Sequence, residues 1–186
     1  RAERLFLELI EHNEDVVSSL NSLINIYQQQ KDWQQAIVIA KKLKRLSNIN
    51  VDNAVAHYYC ELAEKARHNH QNKQAKDHLK EALNHDKHCA RSNIVLGKIF
   101  MEEGDNKQAI HAFRCVHKQD AEYASEVIVF LADCYKQMNQ EEEFVNYLAD
   151  RIVENPRIYF ILAMTDYVRD KDGDASAIEY LSKQIH

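Results

Sequence analysis

Histidine and cysteine have the widest chemical reach in this chain of 186 residues. Of ten histidines, five fall in one stretch: His68, His70, His78, His85 and His88. The pair His85-x-x-His88 places two imidazoles about one helical turn apart, which is half of a metal site. No carboxylate or cysteine partner is set by the spacing. The plainer reading is a solvated polar face ending a helix. The four cysteines, Cys60, Cys89, Cys115 and Cys134, are far apart and form no C-x-x-C pair. They read as free thiols in or on helices, of the kind a reducing compartment allows, with a metal or redox role as the lesser alternative. A glycine-rich phosphate loop, G-x-S-x-G and H-E-x-x-H are all missing from the sequence, so no nucleophile, base or phosphate cradle is assigned. The expectation is a protein that is not an enzyme, with no catalytic, cofactor-binding or metal-binding residue in these 186 positions.

Charge is the next chemical signal. The net charge is −5 and the pI about 6.1, which argues against a general nucleic-acid partner. Residues 65–91 hold seven Lys or Arg against three acidic residues, while residues 120–150 hold eight acidic residues and one Lys. Either stretch reads as a solvated face. Alternatively the two steer different partners, and the basic one faces anionic lipid headgroups. Protonation of its histidines strengthens that patch below about pH 6.5. No run is apolar enough to span a bilayer and no signal-peptide pattern opens the chain. Arg1 lies inside a helical pattern, so the chain is expected to be a piece of a longer protein.

The elements that carry these residues follow from what is scarce. Three Gly and one Pro cannot supply the turns of a sandwich, a barrel or a glycine-rich nucleotide fold, so the chain is expected to be all-α. Ala2, Ala36, Ala75 and Ala109 recur at spacings of 34, 39 and 34, with Phe144 a further 35 on. Upstream of these anchors run apolar stripes: Leu20, Leu23, Ile24, Tyr27; then Tyr59, Leu62, Ala63, Ala66; then Asn93, Leu96, Gly97, Phe100; then Ile128, Leu131, Ala132, Tyr135. Steps of three, one and three mark one helix face. The polar turns between stripes are Lys31-Asp32, His70-Gln71, Gly104-Asp105 and Asn139-Gln140. Each unit is therefore helix, tight turn, helix.

This pattern resembles the tetratricopeptide repeat, in which small residues let paired helices approach. Gly97, Ala63 and Ala132 supply them opposite Ala109 and Ala75, whereas Ile24 and Phe144 depart from the rule and predict splayed or repacked pairs. The register predicts one solenoid over 1–186. Residues 1–13 form the second helix of a truncated repeat, full repeats follow at 17–50, 56–89, 90–123 and 125–155, and 156–186 make a terminal hairpin. Residues 51–55 extend the first helix of the second repeat. Pro156 sits in the first turn of a helix over 156–170, and 174–186 follow a hinge at Asp172-Gly173-Asp174. The expected stack is a right-handed superhelix with the first helices on its concave side. Without a preceding helix, Phe6 and Leu9 are partly uncovered, and the chain is expected to oligomerise through residues 1–13.

The concave face is the default ligand surface of such a stack. Positions 2, 5, 9 and 12 of each first helix give Ser18, Asn21, Asn25 and Gln28; His57, Cys60, Glu64 and Arg67; Arg91, Ile94, Lys98 and Met101; Glu126, Val129, Asp133 and Lys136. Of these, Asn21, Asn25, Gln28, His57, Glu64, Arg67, Arg91, Ile94, Lys98, Met101, Asp133 and Lys136 are the candidate protein-binding residues. The Lys and Asn clamp that some such domains use on a chaperone's terminal carboxylate is only half present, since Asn21 and Asn25 lack matching lysines. Tyr27 and Trp33 read as packing between helices rather than as an aromatic binding pair.

Some runs go beyond a generic repeat. Leu23-Ile24-Asn25-Ile26-Tyr27-Gln28, Trp33-Gln34-Gln35-Ala36-Ile37, Ala56-His57-Tyr58-Tyr59-Cys60-Glu61-Leu62-Ala63, Gly97-Lys98-Ile99-Phe100-Met101 and Ala132-Asp133-Cys134-Tyr135-Lys136-Gln137 resemble the LapB family of lipopolysaccharide assembly proteins over essentially the whole chain. Such proteins have a membrane helix, a cytoplasmic tetratricopeptide region and a rubredoxin-like metal domain with paired C-x-x-C motifs. The resemblance implies that this chain is the middle region, without that metal domain, at the cytoplasmic face of the bacterial inner membrane. It implies a non-catalytic adaptor that limits lipopolysaccharide output. Its implied partners are the lipid A-committing deacetylase, the membrane protease FtsH that degrades it, and membrane regulators. The alternative is a scaffold for envelope or lipopolysaccharide-synthesis proteins without a role in proteolysis.

Overall fold

The computed structural model describes residues 15–119 and 121–185, together with Arg4, Phe6 and Glu8. Among the described residues there are ten helices and no strand: α1 (Val16–Gln29), α2 (Trp33–Ser47), α3 (Asp52–His68), α4 (Asn72–His85), α5 (Ala90–Glu102), α6 (Asn106–Gln119), α7 (Ala121–Gln137), α8 (Glu141–Glu154), α9 (Ile158–Asp172) and α10 (Asp174–Ile185). The chain is thus built of successive helix hairpins. It divides into two compact units, Arg1–Val95 and Leu96–His186, with the boundary inside α5. The expected oligomer contact through 1–13 falls almost entirely outside the described residues.

Four of the hairpin turns share one backbone solution. Lys31, His70, Gly104 and Asn139 all have positive φ, at 56°, 58°, 77° and 54°. In each turn the next residue's N–H donates to a carbonyl five residues back: Asp32 to Tyr27, Gln71 to Ala66, Asp105 to Phe100 and Gln140 to Tyr135. That bond is the signature of the Schellman motif, which satisfies the last carbonyls of one helix while aiming the chain into the next. Glycine usually fills the left-handed position, and an L-residue there costs roughly 1–2 kcal/mol. Only one of these four turns uses glycine, which is how a chain with so few glycines reverses direction repeatedly. At two of these turns an aspartate then caps the following helix. Asp32 Oδ1 accepts from the Gln35 N–H at 3.2 Å, and Asp105 Oδ1 from the Gln108 N–H at 3.1 Å.

In the first unit, Leu20, Leu23, Ile24 and Tyr27 of α1 meet Ala36, Ile37, Ala40 and Leu43 of α2 and Val55 and Tyr58 of α3, with Phe6 and Trp33 packed against this core. Trp33 stacks on Tyr58 with centroids 5.9 Å apart, so Tyr27 and Trp33 serve as packing, as expected. Helix α3 begins at Asp52 and takes in most of the five extra residues before position 56.

In the second unit, Gly97 does what the register asked of it. A Cβ there would lie 2.6 Å from Phe113 Cζ, far inside contact distance. Phe113 is fully buried and stacks on Phe130, centroids 5.4 Å apart. Phe144, in place of a small residue, is buried against Tyr135 at 5.7 Å. The last hairpin differs from expectation at its start. Asn155, the residue before the proline, stands outside the helical region, as that position favours, and Arg157 after it is extended. Pro156 therefore precedes α9 instead of opening it, and α9 runs on to Asp172. Gly173, at φ 85°, ends α9 and leads directly into α10.

Candidate protein-binding surfaces

The first unit presents a polar hollow of about 600 Å³ whose wall includes Trp33, Glu61, Glu64, Lys65, His68 and Arg91. Helix α3 supplies half of it through Glu61, Glu64, Lys65 and His68, with His57 one turn before Glu61 on the same helix. Its two carboxylates are both paired. Arg91 at the start of α5 pairs with Glu61 of α3. Arg67 Nε donates to Glu64 Oε2 at 2.8 Å, and His68 Nε2 stands 3.9 Å from the same carboxylate. His57 lies 3.9 Å from Glu61 and 3.5 Å from Arg91. Burial, together with the neighbouring Arg91 cation, holds the His57 imidazole below its ordinary pKa, against a smaller opposing pull from Glu61. Gln28 is also engaged, donating to the Tyr58 hydroxyl at 2.7 Å. Asn21 and Asn25 are exposed on α1.

Two expected surface positions are corrected. Ile94 is 3% exposed and Cys60 is fully buried, so neither offers a face to a ligand. A stripe that shows His57 and Glu64 must pass through Glu61, four residues on, and turns Cys60 inward. Between Arg91 and Lys98 the turn of α5 is buried throughout, Ser92, Asn93, Ile94 and Val95 alike. Of the histidine cluster, His68, His70 and His88 are exposed, while His78 and His85 are half-buried beside Tyr59. His85 Nδ1 lies 3.1 Å from Asp52 Oδ1, and its ring stacks on Tyr59 at 5.8 Å. Among the described residues no group of three or more His, Cys, Asp or Glu could hold a metal ion.

The second unit presents a different surface. A groove of about 660 Å³ runs between α7, α8 and α9. Its floor is Ile128, Ala132, Phe144 and Ala163, and its walls carry Val129, Tyr159, Leu162 and Tyr167. Val129 is 67% exposed and Leu162 48% exposed, and both line the same groove. Lys136, Glu141, Asp166, Asp170 and Lys171 form a rim of both signs. Some of that rim is already engaged: Arg169 pairs with Asp166 at 2.8 Å and the Lys171 ammonium lies 5.7 Å from the Tyr167 ring centre. Of the expected surface residues in this unit, Lys136 lines the groove. Lys98 pairs with Glu126 at 3.2 Å and lies over the Phe130 ring. Asp133 accepts from Gln137 at 2.9 Å, and Met101 is half-buried.

Sequence reasoning looked for ligands on the first helix of four repeats and assigned nothing to α9, yet α9 supplies half the groove. The signal was present in Ile158-Tyr159-Phe160-Ile161-Leu162, an apolar run with no polar face. A helix apolar all round has partners on more than one side. Here Phe160 points into the core and Leu162 into the groove.

No protein-family model matches the chain. Its relatives are more informative. It is 31% identical over its whole length to lipopolysaccharide assembly protein B of Escherichia coli K12, covering 48% of that protein. It is 29% identical, again over its whole length, to the protein of the same name from Haemophilus influenzae, covering 46%. The chain spans about half the length of the curated relatives it matches. Among solved structures it resembles Pseudomonas aeruginosa PilF, with a TM-score of 0.52 and 21% identity over 90% of this chain and 75% of that one. It also resembles YrrB, described as a TPR protein with an unusual peptide-binding site, with a TM-score of 0.51 and 18% identity over 97% of this chain and 90% of that one. These structures establish the tetratricopeptide-repeat fold.

Proposed function

We propose that this chain, a homologue over its full length of lipopolysaccharide assembly protein B, is a non-catalytic protein-binding adaptor in lipopolysaccharide assembly. The observation that carries the reading is the open apolar groove between α7, α8 and α9, set on a fold built of stacked hairpins. An aliphatic or aromatic side chain fully buried there is worth about 1.5–3 kcal/mol, and the two-signed rim sets the orientation of what enters. In the finer form of the proposal, the partner is the deacetylase that commits material to lipid A. The adaptor brings it to the membrane protease FtsH at the cytoplasmic face of the inner membrane, under the influence of membrane regulators. Its mechanism is then effective concentration, with no bond made or broken by the adaptor.

The test is made in the full-length protein in cells. Val129→Asp and Leu162→Asp place carboxylates at the groove without touching its core. The expected result is a longer deacetylase lifetime and loss of the deacetylase from the adaptor's pull-down. An unchanged lifetime and unchanged capture would refute the groove as the client surface. Arg91→Glu with Lys98→Glu is the matching experiment on the originally expected face and should be much the weaker of the two. The second reading is a scaffold that assembles envelope or lipopolysaccharide-synthesis proteins without a role in proteolysis. It is supported if the groove variants dissolve such an assembly while the deacetylase lifetime stays the same.

A further inference from the structure

The first unit holds a chemical group that neither the repeat nor the groove explains. Cys60, on α3, is fully buried. Cys89 is half-buried in the loop that leads into α5. Their Sγ atoms are 3.7 Å apart although the residues are 29 positions apart in sequence. Ser92, in the first turn of α5, puts its Oγ 3.2 Å from Cys60 Sγ. The other two cysteines have no such arrangement given to them by the fold: Cys134 is buried and Cys115 half-buried, each as a free thiol.

We propose that Cys60 and Cys89 form a peroxide-sensitive dithiol, in which Cys89 is oxidised first and Cys60 resolves it to an intramolecular disulfide. The two thiols differ in the way that such chemistry needs. The hydrogen bond from Cys60 stabilises the Cys89 thiolate, and Ser92 adds to this through side chain and backbone, lowering Cys89 to about 6 against the opposing effects of burial and the Asp86 carboxylate in the same loop. The same shared proton and burial push Cys60 up, with Ser92 and the Arg91 guanidinium pulling weakly the other way. Cys89 is therefore the nucleophile and Cys60 holds the proton.

The chemistry balances with hydrogen peroxide as the named oxidant. The Cys89 thiolate attacks one peroxide oxygen, the O–O bond breaks, and the departing hydroxide takes a proton to leave as water. This gives a sulfenic acid at Cys89. Cys60 then attacks that sulfur, and its thiol proton leaves with the sulfenic hydroxyl as a second water. The two thiols have lost two electrons and the peroxide has gained them. The sulfurs need only close from 3.7 Å to a bond of about 2.05 Å. The bond would tie α3 to the entry of α5 directly beside Glu61 and Arg91, which already pair across the same gap. Oxidation would thereby fix one wall of the polar hollow.

The test uses the whole chain, reduced and then treated with hydrogen peroxide, with peptide mapping by mass spectrometry. The expected result is one disulfide-linked peptide pair, Cys60 with Cys89, with Cys115 and Cys134 still free and the linkage reversed by dithiothreitol. In Cys60→Ser, dimedone should trap a sulfenic acid at Cys89 that is not trapped in the unmodified chain. In Cys89→Ser, Cys60 should stay reduced. Alkylation of Cys89 in the unmodified chain should reach half its maximum at a lower pH than for an ordinary thiol. Persistence of both thiols at peroxide levels that oxidise free cysteine overturns the proposal, as does a disulfide to Cys115, or oxidation of Cys60 in the Cys89→Ser chain. The mapping on the unmodified chain decides the matter even if either variant folds poorly.

Discussion

In the first unit the outward side of α3 carries charges that satisfy one another: Glu61 with Arg91, Glu64 with Arg67. In the second unit the outward side of α7 carries Val129, and α9 faces it with Leu162. The two units are built from the same hairpin and the same left-handed turn, and both expose aliphatic side chains, Val38 and Leu46 among those of the first; in the second, Val129 and Leu162 line one groove that a partner can cover. A paired surface charge gains little from a new partner, because its present partner must be replaced and both groups kept solvated. An exposed aliphatic wall gains with every bit of area removed from water. The repeat framework therefore says nothing about where binding occurs, while the side chains on its outward stripes say a great deal.

The sharpest way to break this contrast is to show that the units differ in their cores and not only in their surfaces. Leu23→Ala in the first unit and Leu131→Ala in the second remove fully buried side chains. Each should cost about 2–5 kcal/mol in urea unfolding, and a large disparity between the two would shift the difference into the interior. Gly97→Ala is next. Its new methyl meets the Phe113 ring, and overpacking of this kind costs about 1–3 kcal/mol. Phe113→Leu in the same chain should recover part of the loss, since it removes the ring that the methyl strikes.

On the surfaces the expected stability effects are smaller. Leu162→Asp should alter unfolding by no more than about 0.5 kcal/mol, so that any loss of partner capture is a binding effect. Arg91→Met should cost less than about 1 kcal/mol, as for other partly exposed pairs. Its clearer signature is the His57 titration followed by NMR, which should move upward once the Arg91 cation is gone. The sign for the unaltered chain follows from linkage. The folded state holds His57 below its unfolded value of 6.5, so the unfolded chain binds more protons in that interval. Stability present above pH 6.5 is lost as pH falls through the window beneath it. A His57 resonance titrating above 6.5 in the unaltered chain would remove the basis for the packed, paired description of this surface.

Much of the fold was legible from residue spacing. Leu20, Leu23, Ile24 and Tyr27 sit on one face because a helix turns every 3.6 residues, and they are buried as that period requires. The need for a small residue at Gly97 was legible too. The left-handed conformation at Lys31 was not, because lysine does not favour it; it accompanies backbone bonds that Lys31 and Asp32 donate back into α1. Ile94 was misplaced because every residue from Ser92 to Val95 is buried, so no repeat position in that turn gives a surface side chain, and a period read along one helix does not show this. The groove escaped notice because its lining comes from three helices, and the apolar run at 158–162 does not by itself say which helices it faces.

From sequence alone came the helical class, the hairpin repeat and most of the turns, which rest on local periodicity and on which residues can end a helix. The family resemblance came from the sequence too, but from particular residue runs and not from periodicity. Tertiary structure alone decided which charges cancel, which aliphatic side chains remain uncovered, and that two cysteines 29 positions apart stand 3.7 Å from each other. Those are properties of side chains brought together from different helices. Contact of that kind depends on how helices pack, and no period along a single helix encodes it.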